Sequence, residues 1–243
     1  MMPSDLSSIW VYLSASPLLG LAITLVAYLV AWRLYQGAGA NPLLNPVAVA
    51  VGLLIVLLLV LDIPYGSYFE GAQFVHFLLG PATVALAVPL YRQLSKLRAL
   101  WLPVCVALLA GVCTAALSAT VIARMLGATP VTALSLAPKS VTAPVAMGIS
   151  ERVGGLPSLT AVLVVMTGIL GAVLGSRIFD LLRIRDDSIR GVAMGVTSHG
   201  IGTARAFQIN AEMGAFSGLA MALSAFASSL ILPWLLKGIA HFV

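Results

Sequence analysis

Long stretches without a charged residue constrain this chain more than any other feature of its sequence. Each of these apolar runs supplies the roughly 20 residues that a helix needs to cross a bilayer. They are Leu6–Trp32, Leu34–Leu61, Gly71–Tyr91, Ala99–Ala123, Val153–Ser176 and Met213–Leu236. Hydrophobic residues make up 60% of the chain and charged residues 9%, whereas a soluble domain has about 25% charged residues. Strand-like alternation is absent, so the sequence predicts an all-α, polytopic membrane protein embedded in the lipid bilayer.

The positions of lysine and arginine predict how the chain is oriented. Basic residues concentrate in segments 33–43, 92–98 and 177–190, whereas 62–71 contains none. The positive-inside rule places the three basic segments in the cytoplasm and segment 62–73 outside, in a bacterial cytoplasmic (inner) membrane. The net charge of +5 is therefore topological information, and no nucleic-acid partner is expected.

This orientation leaves one segment without a simple spanning role. The run Ala99–Ala123 brings the chain outside, and Val153–Ser176 returns it inside. The segment Val131–Ser150 must then begin and end on the outer side, as a re-entrant or broken helical pair. Such backbone is tolerated at membrane depth where it is buried in protein or faces water.

Weak similarities between the two halves of the sequence predict an internal two-fold repeat within a single domain covering 1–243. Asn45-Pro-Val-Ala48 is similar to Ala143-Pro-Val-Ala146, and Gly80-Pro-Ala-Thr83 is similar to Gly200-Ile-Gly-Thr203. The repeat halves would cover about 41–125 and 131–238. Chance similarity in a sequence rich in Ala, Val and Gly is the alternative. A real repeat would fit a transporter whose broken helices meet at mid-membrane.

Two lone cations mark the candidate functional site. Lys139 is the one charged residue between Met125 and Ser150, and Arg205 is the one charged residue between Gly191 and Ala211. Both runs are apolar enough to enter a bilayer, where a cation usually lines a cavity or pathway. Both runs are also interrupted by Gly or Pro, so the sequence predicts a binding site for a small organic anion.

The first cation lies between helix breakers. Pro138 and Pro144 flank Lys139, Ser140 and Thr142. Proline removes a backbone donor and breaks the helix, and the positive end of the helix that begins afterwards attracts anions. Lys139 would supply charge, and the two hydroxyls suit a carboxylate or a 2-hydroxyl group. The alternative is that Lys139 reaches an interface from a short loop.

The second cation follows a glycine-rich turn. Gly200 and Gly202 permit a tight turn, with Thr203 and Arg205 after it. Arg205 would grip a carboxylate through two parallel hydrogen bonds; the alternative is a structural pair with a buried acid such as Glu212. His199 would couple proton movement to the substrate, or it would pack and donate to a carbonyl. Breaks are predicted at Pro138–Pro144 and Gly200–Gly202.

A matching break in the first half would involve Gly80, Pro81 and Thr83, with Asn45 as the counterpart of Ala143. Gly-Pro is a weak signal, because both residues are common in membrane helices. Asn45-Pro46 more often starts a helix.

Three strings resemble those of the LrgB/CidB family, and the resemblance covers nearly the whole chain. They are Leu79-Gly-Pro-Ala-Thr-Val-Ala-Leu-Ala-Val-Pro-Leu-Tyr91, Leu136-Ala-Pro-Lys-Ser-Val-Thr-Ala-Pro144 and Gly195-Val-Thr-Ser-His-Gly-Ile-Gly-Thr-Ala-Arg205. The resemblance implies either of two functions. Bacterial members are antiholin-like proteins tied to murein hydrolase export and lysis, and a plant relative is the plastidal glycolate/glycerate translocator. It also implies a small LrgA-like (holin-like) membrane subunit as a partner.

The function expected from these features is secondary transport of small monocarboxylates or 2-hydroxy acids such as glycolate, glycerate, lactate or pyruvate, with proton coupling. An antiholin-like regulator and a non-selective pore are the alternatives. The sequence contains no catalytic arrangement, phosphate loop or metal-ligand spacing, so an enzyme, a cofactor and a metal are not expected. Small residues, at Gly168, Gly171, Gly175 and from Ala220 to Ser229, predict a homodimer; the alternative is that they pack helices within one subunit.

Overall fold

The computed structural model describes residues 18–78, 81, 84–85 and 87–238. Every regular element among these residues is helical, which confirms the all-α prediction. Four described helices are long and apolar enough to cross a membrane: Leu18–Gly37, Leu94–Met125, Pro157–Leu181 and Ala211–Gly238. The chain is therefore a multi-pass helical membrane protein, because helices satisfy their backbone polar groups without water.

The chain divides into two compact units, and the first ends at Ala85. Its elements are α1 (Leu18–Gly37), a 3₁₀ turn (Pro42–Leu44), α2 (Pro46–Val60) and α3 (Tyr65–Phe77). Within this unit α1 packs closely on α3, since a Cβ on Gly20 would collide with the Tyr68 carbonyl oxygen. The Thr24 and Tyr68 hydroxyls also share a hydrogen bond of 2.7 Å.

The second unit begins at Leu86 and contains seven described helices. They are α4 (Ala87–Arg92), α5 (Leu94–Met125), α6 (Pro130–Leu136), α7 (Ala143–Val153), α8 (Pro157–Leu181), α9 (Asp187–Ile209) and α10 (Ala211–Gly238). Its core contains Ala116 of α5, Ala137 after α6, Val196 of α9 and Phe216 of α10. The short helices are thus packed among the long ones.

An ion-pair cluster identifies one end of this unit. Lys96 Nζ at the start of α5 lies 3.7 Å from Asp186 Oδ2, before α9, and 2.5 Å from Glu212 Oε1, at the start of α10. The basic segments 92–98 and 177–190 therefore share one end, which we call the Lys96 end. Because α5 leaves this end and α8 returns to it, the intervening α6–α7 segment begins and ends at the opposite end. The assignment of the Lys96 end to the cytoplasm remains a prediction.

The interruption expected at Pro138–Pro144 is present. Helix α6 ends at Leu136 and α7 begins at Ala143. With 7 and 11 residues, they extend only about 10 and 17 Å, well short of the roughly 30 Å hydrocarbon core. The link between them is buried, with Ala137 2% and Val141 4% exposed. This burial in protein allows non-helical backbone at membrane depth.

Helix α9 is broken at His199, whose φ of 42° and ψ of −136° are not helical. The break lies one residue before the predicted Gly200–Gly202. The chain also reverses there, since the Asn210 side chain reaches Asp187 at the start of α9. A Cβ on Gly202 would lie 3.1 Å from the carbonyl oxygen of Met194, whereas eight residues of continuous helix span about 12 Å. Residues 187–198 and 200–209 thus form a helical hairpin that enters from the Lys96 end.

Glycines on α8 fit this hairpin closely. A Cβ on Gly168 would lie 2.7 Å from the His199 ring, one on Gly171 would overlap the Ser198 hydroxyl, and one on Gly175 would lie 2.6 Å from Met194 Sδ. These three glycines, among the small residues on which a homodimer was predicted, therefore pack α8 against α9 within one chain. The homodimer itself remains a prediction.

Candidate functional site

A cavity of about 550 Å³ lies within the second unit, between α5, α8, the α6–α7 segment and the first half of the α9 hairpin. Most of its wall is apolar, with Leu163, Met166 and Leu170 of α8 among the lining residues. Its polar groups come from both broken segments and from α8: Lys139, Ser140, Thr167, Thr197 and Ser198. The cavity thus lies where two broken segments meet: the α6–α7 segment from one end of the unit and the α9 hairpin from the other.

Lys139 is the charged residue of this cavity. Its side chain is half-buried, and Nζ lies 3.4 Å from the Ser140 hydroxyl. Among the described residues, no carboxylate lies within 4.0 Å of Lys139 Nζ. The cavity therefore presents a positive charge to a ligand without a neutralising acidic side chain of its own.

Thr142, predicted to bind the same anion, occupies the N-cap position of α7. Its backbone is extended, its side chain makes no capping hydrogen bond, and Pro144 lies in the first turn of the helix. Thr142 is not among the described residues that line the cavity. Its position instead marks where the amino end of α7 begins, three residues after Lys139.

Thr197 and Ser198 line the cavity although they were not predicted as site residues from the sequence. Their hydroxyl oxygens lie 3.1 Å apart, and both residues line the same cavity as Lys139 and Ser140. They precede His199 directly, so the same glycine-rich string contained them. The missing information was the reversal at His199, which brings the last turn of residues 187–198 to the cavity.

His199 is not among the described residues that line the cavity. Its side chain is 5% exposed, and Nε2 lies 2.9 Å from the Val164 carbonyl oxygen of α8. Since a carbonyl oxygen only accepts hydrogen bonds, Nε2 carries the proton. This is the packed arrangement considered above as the alternative to proton coupling.

The residues after the turn complete the hairpin. Gly200 is exposed, and Gly202 packs against the first half of α9 at Ser198. The Thr203 hydroxyl donates to the His199 carbonyl oxygen and shares a hydrogen bond of 2.9 Å with the Ser217 hydroxyl of α10. These residues thus shape the hairpin, and they are not among the described residues lining the cavity.

Arg205 does not share the cavity with Lys139, contrary to the expectation of a common site. Its Nη1 atom donates to Gln208 Oε1 at 3.1 Å in the second half of the hairpin. Glu212, the acid considered as a partner for Arg205, pairs with Lys96. The reversal at His199 directs residues 200–209 back toward the Lys96 end, and this separates Arg205 from the hairpin tip.

The remaining candidates belong to the first unit. Asn45 caps α2, accepting hydrogen bonds from the backbone N–H groups of Val47 and Ala48 at 2.9 and 3.2 Å. Pro81 is helical and exposed, and Thr83 lies outside the described residues. Asn45 therefore has the helix-starting role that its place before Pro46 favours.

The fold and cavity define a helical membrane protein with discontinuous helices, and comparison with known proteins identifies its family. The LrgB-like family model matches residues 24–237, so this chain belongs to the LrgB family. It is 37% identical to the uncharacterized protein YwbG of Bacillus subtilis over 223 residues, covering 90% of this chain and 97% of YwbG. It is 32% identical to the holin-like protein CidB of Staphylococcus epidermidis over 225 residues, covering 93% of this chain and 97% of CidB.

A holin-like protein CidB of Staphylococcus aureus is also 32% identical, over 219 residues that cover 90% of this chain and 95% of the relative. No solved structure matches the chain. The family match crosses the boundary between the two units, so the family domain includes both.

Proposed function

We propose that this protein is a secondary transporter of small monocarboxylates or 2-hydroxy acids, of the glycolate, glycerate, lactate or pyruvate class. It works in the bacterial cytoplasmic (inner) membrane and couples transport to proton movement. The observation that carries the proposal is the position of Lys139. This cation lines a cavity between two broken segments that enter from opposite ends of the second unit.

The energetics of a buried charge support an anionic substrate. A lysine at the centre of a bilayer costs about 2.5–3.5 kcal/mol on insertion scales. No carboxylate among the described residues pairs with Lys139 to offset this cost. A substrate carboxylate would neutralise the charge and accept hydrogen bonds from Lys139 and the neighbouring Ser140.

The direction of the helices also favours an anion near the two interruptions. Helix α7 begins at Ala143, after the buried link, and residues 200–209 begin directly after the turn at His199. Both amino ends therefore lie at interruptions rather than at the ends of the unit. Partial positive charge at helix amino ends favours anions, and transporters with broken helices use it at mid-membrane.

The size and lining of the cavity favour a small amphipathic molecule. A volume of about 550 Å³ is within the usual range for small-molecule sites. Thr167, Thr197 and Ser198 add polar residues to the lining, and the α8 side chains Leu163, Met166 and Leu170 add an apolar wall. A two- or three-carbon acid with a 2-hydroxyl or 2-oxo group would use both.

Uptake into liposomes that contain the pure protein tests the proposal. Labelled glycolate, lactate and pyruvate should each be offered at increasing concentration, and saturable uptake of at least one is expected. Lys139→Ala should abolish that uptake, because the cavity loses its charge. Arg152→Ala is the matched control, since Arg152 is an exposed cation at the end of α7 outside the cavity. Normal uptake by Lys139→Ala would overturn the proposal.

A second candidate function is antiholin-like control of murein hydrolase export and cell lysis. The observation that favours it is that relatives 32% identical to this chain are named holin-like protein CidB. Release of a trapped dye from the same liposomes would separate the two functions. Dye release without saturable uptake, unchanged in Lys139→Ala, would favour the holin-like reading over the transporter.

We also propose that the protein forms a homodimer and works with a small LrgA-like membrane subunit. The transport assay should therefore be run with the pure protein and after addition of such a subunit. Mass measurement of the detergent-purified protein tests the dimer, and a monomer alone would contradict it.

A further inference from the structure

His199 joins the tip of the α9 hairpin to α8. Its ring is buried, and Nε2 donates to the Val164 carbonyl oxygen at 2.9 Å. Gly168, one helical turn after Val164, leaves room for the ring, because a Cβ there would lie 2.7 Å from its Cε1 atom. Both elements therefore contribute to the contact. The hairpin supplies the hydrogen-bond donor, and α8 supplies a glycine that leaves space for the ring.

The backbone of the same residue makes the turn. His199 has a φ of 42° and a ψ of −136°, a conformation that side-chain-bearing residues rarely adopt. Such backbone persists where surrounding interactions impose it, and it concentrates at functional sites. The residue that reverses the chain is thus also the residue whose side chain anchors it.

The anchor extends to α10. The Thr203 hydroxyl donates to the His199 carbonyl oxygen at 2.9 Å and pairs with the Ser217 hydroxyl at 2.9 Å. The His199 ring and backbone thus connect α8, the hairpin and α10 through buried hydrogen bonds. Hydroxyls that line the cavity, those of Thr197 and Ser198, precede this anchored point directly.

We infer that His199 is a positioning residue. It fixes the hairpin tip to α8, so that Thr197 and Ser198 line the same cavity as Lys139, and it makes no contact with the substrate. This inference rests on the proposed transport function for its role, but the geometry that it describes is independent of transport. It also replaces the proton-carrying role that the sequence suggested for His199.

Substitution of His199 by glutamine and by glycine distinguishes the positioning role from the proton-carrying role. A glutamine amide can donate to the Val164 carbonyl oxygen as the imidazole Nε2–H does, but it has no titratable proton. Glycine adopts a φ of 42° without penalty, so His199→Gly removes the ring without adding strain to the turn. A positioning role predicts that His199→Gln retains native uptake and that His199→Gly impairs it.

The transport experiment measures KM and maximal rate for these variants in liposomes. His199→Gly should raise KM roughly tenfold or more, since a small misplacement of binding groups is costly; His199→Gln should stay within about threefold of wild type. Gly168→Ala should mimic His199→Gly by displacing the ring, and should add nothing further in the His199→Gly background. Gly148→Ala is the control, because a Cβ there meets nothing within 4 Å.

A second readout does not depend on transport. This readout uses Thr197→Cys in a chain in which alanine replaces Cys105 and Cys113. The rate at which the new cysteine reacts with a water-soluble thiol reagent, measured with His199 present, is the reference. His199→Gly should change that rate roughly tenfold, since an unanchored tip exposes the site differently, and His199→Gln should restore it.

The outcomes are distinct. Absence of uptake by the wild-type protein would count against the proposed function, and the labelling rates would still decide the role of His199. Unchanged uptake and labelling in His199→Gly would overturn the positioning role. Loss of uptake in His199→Gln with native labelling would overturn it in favour of proton transfer by the His199 side chain.

Discussion

The Asn210 side-chain amide donates to Asp187 Oδ2 at 2.8 Å, although 23 residues separate them. A continuous α-helix of that length would hold the two residues about 35 Å apart. The contact therefore closes the α9 hairpin at its open end, as His199 closes it at the tip. It also fixes residues 200–209 on the side from which residues 187–198 enter.

Asn210→Ala is expected to destabilise the second unit. The substitution removes the hydrogen bond to Asp187 and the acceptor for the Met213 N–H group at 2.8 Å. A lost cap together with a lost side-chain hydrogen bond costs about 1–2 kcal/mol. The melting temperature in detergent should fall accordingly. Asn41→Ala, which removes an exposed cap in the first unit, is the matched control and should lower it less.

Charge reversal tests the cluster at the Lys96 end. Lys96→Met should cost only about 0.5–1 kcal/mol, because partly exposed ion pairs contribute little. Lys96→Glu should cost more, since it places a third carboxylate beside Asp186 and Glu212. The double variant Lys96→Glu/Glu212→Lys should recover part of that loss. Strictly additive effects on melting temperature would show that the pair does not interact.

The lowered pKa of the Asp186 carboxylate predicts that the stability of the protein depends on pH. The Ser188 hydroxyl and the Ile189 N–H group donate to it and hold its pKa below the ordinary value of 3.8. Its stabilising effect is therefore complete above the ordinary pKa and is lost as the pH falls through the lowered value. Melting temperatures of wild type and Asp186→Asn should differ most near neutral pH and converge in acid. A difference that grows on acidification would contradict this.

Gly171→Ala should disturb α8 packing within one chain. A Cβ at this position would overlap the Ser198 hydroxyl, and overpacking of this kind costs about 1–3 kcal/mol. The melting temperature should fall whatever the oligomeric state, and uptake should decline because Ser198 lines the cavity. Gly52→Ala, where a Cβ meets nothing within 4 Å, should be neutral. A dimer lost without any fall in melting temperature would instead place Gly171 at an intermolecular contact.

Cysteine labelling tests the orientation. With Cys105 and Cys113 replaced, Ser95→Cys and Arg183→Cys should react only from the cytoplasmic side, because both exposed positions lie at the Lys96 end. Arg152→Cys, exposed at the end of α7, should react only from outside. All three reacting from one side would contradict the re-entrant α6–α7 segment.

The sequence by itself determined the class of this protein and the first half of its site. Charge-free runs of bilayer length require helices, and the prolines around Lys139 require an interruption, because both effects depend only on neighbouring residues. The same local chemistry placed a break near Gly200, one residue from its position in the structure. The basic loops before and after it lie on one side and are joined by one span on each side of Val131–Ser150, which was enough to predict that this segment does not cross the membrane.

Only the tertiary structure decided the direction of the chain after the second break. A helix-breaking residue in the sequence indicates only that regular helical hydrogen bonding stops. The contacts of His199 with α8 and of Asn210 with Asp187 make the chain reverse. That reversal brings Ser198 to the cavity and takes Arg205 away from it. These outcomes depend on side chains far apart in sequence, whose packing no local pattern of residues encodes.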